Sequence, residues 1–201
     1  SAGLARHATE ATAAQARGCL DSHPECGCGF LTNSVRVRGG EYTQCRIWGE
    51  NLLEHLKSEK PALVVIAQSA GQSIFDTGSG LTMEAALVAL WQELEREGLP
   101  VVVMADTPRH TTDPTACLEQ PDTCGTERAV GVRPDPIVNA AGTQDYAKLI
   151  DMNDLVCTGD FCPAVIGNVA TFRDTHHLTA TYSRMLAPFL EQRIGERVEL
   201  P

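Results

Sequence analysis

The chain has 201 residues, of which 43% are hydrophobic, and a formal net charge of −10. This length supports one domain with a full hydrophobic core, but hardly two. The negative charge repels phosphate backbones and the basic residues are scattered, so nucleic acid is excluded as a partner. The longest apolar runs, residues 62–67 and 100–105, are far shorter than the roughly 20 residues that cross a bilayer. We therefore expect one globular domain without a membrane span.

The first half of the chain alternates helix and strand patterns. Residues 48–57 (WGENLLEHLK) place three leucines on one helical face, and residues 62–67 (ALVVIA) are an apolar run of strand length. From Thr82, a predicted N-cap, apolar residues recur at helical spacing until Gly98. PVVVMAD follows at once as a second predicted strand.

The second half is less regular. Residues 107–142 are rich in Pro, Gly, Thr and Asp, which predicts a long surface excursion. Residues 146–152 (YAKLIDM) predict a third strand, and residues 179–192 a final helix that tolerates Pro188 with a kink. Its predicted apolar stripe is Tyr182, Met185, Leu186, Phe189 and Leu190. Alternating apolar strands and amphipathic helices indicate the α/β class, with a parallel sheet flanked by helices on both faces.

Eight cysteines include two pairs that are close in sequence, Cys117 with Cys124 and Cys157 with Cys162. Such short loops favour disulfides. A zinc site is the competing interpretation, but two CxxC pairs are absent. The remaining cysteines allow three pairings: they are Cys19, Cys26, Cys28 and Cys45.

Disulfides persist in oxidising surroundings, so the cysteine pattern predicts an extracytoplasmic location. Residues 1–18 contain no apolar core of the kind that a signal peptide has. We therefore expect the sequence to be a mature form or a piece of a longer protein.

Loops beyond the carboxyl ends of parallel strands are where catalytic groups gather. After the first strand comes QSAGQS, where a backbone amide near Ser69 and Gly71 is a candidate oxyanion donor. The alternative is an ordinary turn built of small residues. After the second strand, Asp106 is predicted to accept hydrogen bonds from the following turn, a structural role.

The block RDTHHLT precedes the final predicted helix. A serine hydroxyl becomes nucleophilic when an imidazole takes its proton, and a carboxylate fixes the tautomer of that imidazole. The Asp-x-x-His spacing selects Asp174 and His177 for these roles rather than His176. The alternative is that the two histidines merely flank the start of a helix.

Residues 42–194 carry a series of blocks: YTQCRIW, KPALVVIA, GLPVVVMADTPRH, LVCTGDFCPAVIG and FRDTHHLTATYSRMLAPFL. In order and spacing they resemble the SGNH hydrolase-like domain at the C-terminal end of many bacterial acyltransferase-3 membrane proteins. The resemblance implies a flavodoxin-like three-layer fold over residues 42–201, after a cysteine-rich lead-in at 1–41. It also implies O-acyl transfer on cell-envelope glycans by Asp174 and His177 of a Ser-His-Asp triad, without cofactor or metal. The implied partners are an acylated glycan or other small acyl ester, and a membrane-embedded acyltransferase domain.

By the same resemblance, Cys19 pairs with Cys26 and Cys28 with Cys45. The nucleophile of the family lies in a Gly-Asp-Ser-His block, which this sequence matches only at CLDSHPEC, with Leu20 in place of the glycine. Two interpretations follow. Either Ser22 completes the triad, or the sequence lacks a functional nucleophile. In the second case the domain serves glycan binding or scaffolding for the membrane partner, or a piece of it is not represented in this sequence.

Overall fold

The structure is a computed structural model that describes residues 27–199. Contacts divide the chain into two compact units. Of the described residues, the first unit takes 27–104, 136–149 and 197–199, and the second takes Ala105–Asp135 and Ile150–Glu196. The division of the chain at residue 41 stays a prediction.

The secondary structure of the described residues alternates between strands and helices. The strands are β1 (Val35–Val37), β2 (Gly40–Tyr42), β3 (Val64–Ala67), β4 (Val101–Met104), β5 (Gly125–Glu127), β6 (Lys148–Ile150), β7 (Phe161–Pro163), β8 (Val165–Ile166) and β9 (Val169–Ala170). The α-helices are α1 (Thr43–Glu59), α2 (Met83–Arg96), α3 (Arg128–Gly131), α4 (Pro136–Ala141) and α5 (Ala180–Arg197). Two short 3-10 helices cover Pro114–Cys117 and Asn153–Leu155.

A three-stranded parallel sheet has the order β3-β4-β6, and β3, β4 and the first two residues of β6 belong to the first unit. In β3 and β4, Val64 pairs with Val101 and Ala67 with Met104. The valines of β4 are at most 1% exposed, as a central strand of a parallel sheet requires. The predicted α/β class and its three strands are thereby confirmed. The covering of both sheet faces by helices stays a prediction.

The helices of the first unit begin and end at recognisable signals. The Thr82 side chain accepts a hydrogen bond from the amide of Ala85 at 3.2 Å, which confirms the predicted N-cap of α2. Gly98, at φ +70°, follows the end of that helix. Helix α1 starts at Thr43, five residues before the predicted start at Trp48, because it follows directly on the extended Tyr42. Its Gly49 lies against the backbone of Leu31, where a Cβ atom would come within 1.8 Å of the Leu31 carbonyl oxygen.

Side chains from the loop after β3 hold the start of the described chain. The Gln72 side chain accepts a hydrogen bond from the Gly29 amide at 2.9 Å, and the Gln68 side chain accepts one from the Phe30 amide at 2.8 Å. The Cys28–Cys45 disulfide ties the same segment to α1. This segment therefore has a fixed place in the first unit.

The second unit contains two antiparallel strand pairs, β5 with β7 and β8 with β9. Gly167 and Asn168 join β8 to β9, and both have positive φ, as a two-residue hairpin turn requires. The disulfides Cys117–Cys124 and Cys157–Cys162 have formed as predicted. A small core of Val156, Phe172 and Tyr182 fills this unit.

The prediction that residues 107–142 form one surface excursion is wrong at its C-terminal end. Helix α4 buries Ile137 and Ala140, which join the core of the first unit. These two residues are three positions apart and so lie on one face of the helix. The high Pro and Gly content of the segment obscured this short amphipathic turn.

Helix α5 continues through Pro188 to Arg197, beyond the predicted end at residue 192. Its predicted apolar stripe is only partly buried: Tyr182 is 4% exposed, but Met185 and Phe189 are 45% and 47% exposed. The helix contacts the small core through Tyr182 and Leu186 near its first turns, and Ile194 is buried near its end, whereas Met185 and Phe189 between them are exposed. Within residues 27–199, no helix combines the length and the apolar character needed to traverse a bilayer.

Candidate active site

The block RDTHHLT forms a closed loop in the second unit. Phe172 and Leu178 pair in an antiparallel bridge at its base, and the Arg173 amide donates to the His177 carbonyl oxygen at 2.9 Å. Thr179 then starts α5, because its hydroxyl oxygen accepts from the Tyr182 amide at 3.1 Å. The closure brings residues 174 and 177 to the same side of a short turn, as the Asp-x-x-His spacing predicts.

Asp174 is held by three hydrogen bonds from within this loop. Its Oδ1 atom accepts from the amides of His176 at 3.0 Å and His177 at 2.8 Å, and its Oδ2 atom accepts from the His177 ring nitrogen Nδ1 at 2.7 Å. Burial opposes ionisation, but these bonds and the charge of His177 outweigh it and hold the pKa of Asp174 well below its ordinary value. The carboxylate is therefore ionised at neutral pH.

The Asp174 contact defines the tautomer of His177. A carboxylate can only accept, so Nδ1 carries the hydrogen and Nε2 keeps its lone pair. The His177 side chain is 51% exposed. Its Nε2 atom is thus the basic nitrogen of this pair, which is the arrangement that a general base needs.

The loop is also held from the segment that follows β4. The His110 amide donates to the Thr175 carbonyl oxygen at 2.7 Å, and the Thr107 hydroxyl donates to the His176 carbonyl oxygen at 3.2 Å. The His110 ring packs edge-on against Phe172, with 4.4 Å between ring centroids. His110 is only 4% exposed, and burial lowers its pKa.

These bracing residues were not predicted from the sequence. In the motif DTPRH, only Asp106 was assigned a role from the sequence. The contacts to the loop of RDTHHLT, the histidine loop, come from Thr107 and His110. Asp106 itself accepts from the Thr107 amide at 2.9 Å, which is the predicted structural role. The signal available in the sequence was the proximity of these polar residues to the end of a buried strand.

His176 has a different environment from its neighbour. Its Nδ1 atom lies 3.1 Å from the Thr175 hydroxyl oxygen and 3.5 Å from Asp174 Oδ1. Burial, followed by the positive charges of His177 and Arg109, lowers the pKa of His176. It does not share the short contact that joins His177 to the carboxylate.

The oxyanion candidates Ser69 and Gly71 belong to the first unit, and Asp174 and His177 to the second. The Gly71 amide donates to the Ser69 hydroxyl oxygen at 3.2 Å, and both residues are exposed. This geometry is the small-residue turn that was the alternative interpretation. Their part in oxyanion binding stays a prediction.

Three predicted site residues lie outside the described part of the chain. They are Ser22, the candidate nucleophile, and Cys19 and Cys26, the predicted fourth disulfide. Cys28 and Cys45, the pair predicted together with that fourth disulfide, are bonded.

Comparison with known proteins gives two matches. A family model described as "SGNH domain (fused to AT3 domains)" matches residues 4–192. Among solved structures, the chain is similar to the lipopolysaccharide acetyltransferase periplasmic domain of Salmonella ser. Paratyphi A, with a TM-score of 0.57 and 15% sequence identity. The match covers 83% of this chain and 67% of that chain, and at this identity it shows a shared fold. No curated protein matches the chain significantly.

Proposed function

The chain belongs to the family of SGNH domains fused to AT3 domains, and from this premise we propose that it is the extracytoplasmic domain of a cell-envelope O-acyltransferase. In this proposal it transfers acyl groups such as acetyl to surface glycans, or hydrolyses their esters, in the periplasm or on the outer face of the plasma membrane. A membrane-embedded acyltransferase domain of the full-length protein is its partner and presents the acyl group.

The observation that carries the proposal is the short bond between Asp174 Oδ2 and His177 Nδ1, at 2.7 Å. A hydroxyl is nearly inert until a base takes its proton, and His177 Nε2 is the atom that serves as this base. Asp174, held by two backbone amides, keeps the ring in the required tautomer. It also stabilises the imidazolium that forms when the proton arrives.

The chemistry proceeds in two steps. In the first, Ser22 Oγ attacks the acyl carbonyl carbon, its proton moves to His177 Nε2, and the leaving oxygen takes that proton as its bond to the acyl carbon breaks. In the second, a sugar hydroxyl or water attacks the acyl-serine ester with the same proton transfers. Amides near Ser69 and Gly71 stabilise the oxyanion in this scheme.

A second candidate is a catalytically incomplete module that binds glycan or acts as a scaffold for its membrane partner. It is favoured by Leu20, which stands where the family pattern has the glycine of the sharp nucleophile turn. The bond from the Gly71 amide to the Ser69 side chain also occupies the proposed oxyanion donor.

A fluorophosphonate that reacts with activated serines separates the two candidates. The full chain is incubated with this reagent and the adduct is mapped by peptide mass spectrometry. An adduct on Ser22 that disappears in the His177→Ala variant supports the acyltransferase, because the reaction then depends on the base. Absence of any serine adduct, with no hydrolysis of a small acetyl ester, rejects it and leaves the binding module.

A further inference from the structure

Three side chains of the histidine loop bring metal-ligating atoms together. Asp174, His176 and His177 each offer one such atom, and these atoms lie within 4.8 Å of one another. We propose that they form a binding site for one transition-metal dication, with Zn²⁺ as the fitting ion. Imidazole nitrogen and carboxylate oxygen are ligands that Zn²⁺ takes in proteins.

The ligand atoms are close enough to meet one ion once the hydrogen between Asp174 Oδ2 and His177 Nδ1 has left. Tetrahedral ligands about 2.1 Å from Zn²⁺ are about 3.4 Å apart. Asp174 Oδ2 and His177 Nδ1 are 2.7 Å apart and would have to separate, and His176 Nδ1 lies 3.5 Å from the other oxygen of the same carboxylate, Asp174 Oδ1. The side chains of Asp174 and His176 are each 38% exposed and that of His177 is 51% exposed, so all three are open to an ion from solvent.

Of the charged side chains around the site, one favours the binding of a cation and one opposes it. Asp174 supplies a full negative charge to the site, whereas Arg173, whose Nε lies 3.7 Å from Asp174 Oδ2, opposes a cation. The Arg173 side chain is 66% exposed and is joined to Asp174 only at that distance, so it can turn into solvent when an ion arrives. The backbone amides that hold Asp174 Oδ1 leave Oδ2 for the metal.

Occupation by metal excludes the proposed use of His177 as a base. In the metal-free loop, Nδ1 carries the hydrogen that bonds Asp174 Oδ2. A metal ion on Nδ1 displaces this hydrogen, and the neutral ring then carries its hydrogen on Nε2, which can no longer accept a proton. This consequence rests on the proposed function, whereas metal binding does not.

Titration calorimetry of the full, disulfide-bonded chain with zinc chloride at neutral pH tests the site. We expect one ion per chain. In both His176→Ala and His177→Ala we expect an affinity loss larger than the roughly 100-fold that is the upper end for an outer-shell partner. His55→Ala is the matched control, because His55 is an exposed histidine on α1 that is not a member of the cluster, and the zinc affinity of this variant stays that of the parent. Unchanged thermal midpoints without zinc show that the loop variants have folded.

Zinc binding of unaltered affinity in both loop variants, or no binding by the parent, overturns the proposal. A second measurement follows hydrolysis of an acetyl ester during the zinc titration. If turnover falls in proportion to bound zinc and returns when a chelator is added, zinc prevents His177 from acting as the base. Unchanged turnover at saturating zinc contradicts this. If the chain binds zinc through these residues but does not hydrolyse the ester even without zinc, the metal site stands and the proposed function is rejected.

Discussion

At the residue scale, the hydrogen on His177 Nδ1 decides whether the ring can act as a base. Substitution Asp174→Asn keeps an oxygen for the two backbone amides but can turn an amide hydrogen toward the ring, which favours the wrong tautomer. We expect turnover of an acetyl ester to fall by roughly 10⁴-fold, the scale of this change in other triads, while a cooperative melting transition shows that the variant has folded. Asp122→Asn, at an exposed aspartate, is the control. Turnover within tenfold of the parent contradicts the role of Asp174.

His110 gives a prediction for stability rather than for activity. Burial lowers its pKa from the ordinary 6.5, so the unfolded chain takes up a proton at a higher pH than the folded chain. Its contribution to stability is therefore complete above about pH 6.5 and is lost as the pH falls toward the folded pKa. His110→Phe preserves a ring against Phe172 and removes the titration.

The measurement is the melting temperature between about pH 7 and about pH 5, the range in which histidine titrates. We expect a shallower decline for His110→Phe than for the parent, and the parental decline for the exposed His55→Phe. Equal slopes for His110→Phe and the parent show that the buried ring does not control this dependence.

At the element scale, the approach of α1 to the segment around Leu31 depends on Gly49. A Cβ atom there would lie 1.8 Å from the Leu31 carbonyl oxygen, so the helix or the segment must shift. We expect Gly49→Ala to lower the free energy of unfolding by about 1–3 kcal/mol or more, measured by urea denaturation. Gly195→Ala is the matched control, because it lies in α5 with open space around it and gains helix propensity of up to about 1 kcal/mol. Equal effects of the two substitutions contradict this account.

At the scale of the whole molecule, cysteine pairing secures both units. The three bonds close loops with sequence separations of 17, 7 and 5 residues, for which chain entropy gives about 2–3 kcal/mol each. We propose that Cys19–Cys26 is a fourth bond. The unfolded, unreduced chain should then show no free thiol, and reduction should expose eight. If Cys19 and Cys26 are instead found as two free thiols, the fourth bond is rejected and the other three stand.

The sequence predicted the features that local chemistry determines. Thr82 as a cap, the β3 and β4 runs and the Asp174–His177 contact all depend on residues close in sequence. The features that it missed depend on tertiary context: Ile137 is buried although it lies in a segment rich in loop-forming residues, and Met185 is exposed although it fits an apolar stripe. Periodicity reports which residues share a face, but not whether anything covers that face.

The two glutamines that accept hydrogen bonds from the amides of Gly29 and Phe30 lie 43 and 38 positions later in the chain. Both acceptors are side-chain oxygens, so Gln68→Ala together with Gln72→Ala would leave these two amides without their partners while changing nothing in the segment itself. The conformation of this segment is therefore decided by the loop after β3.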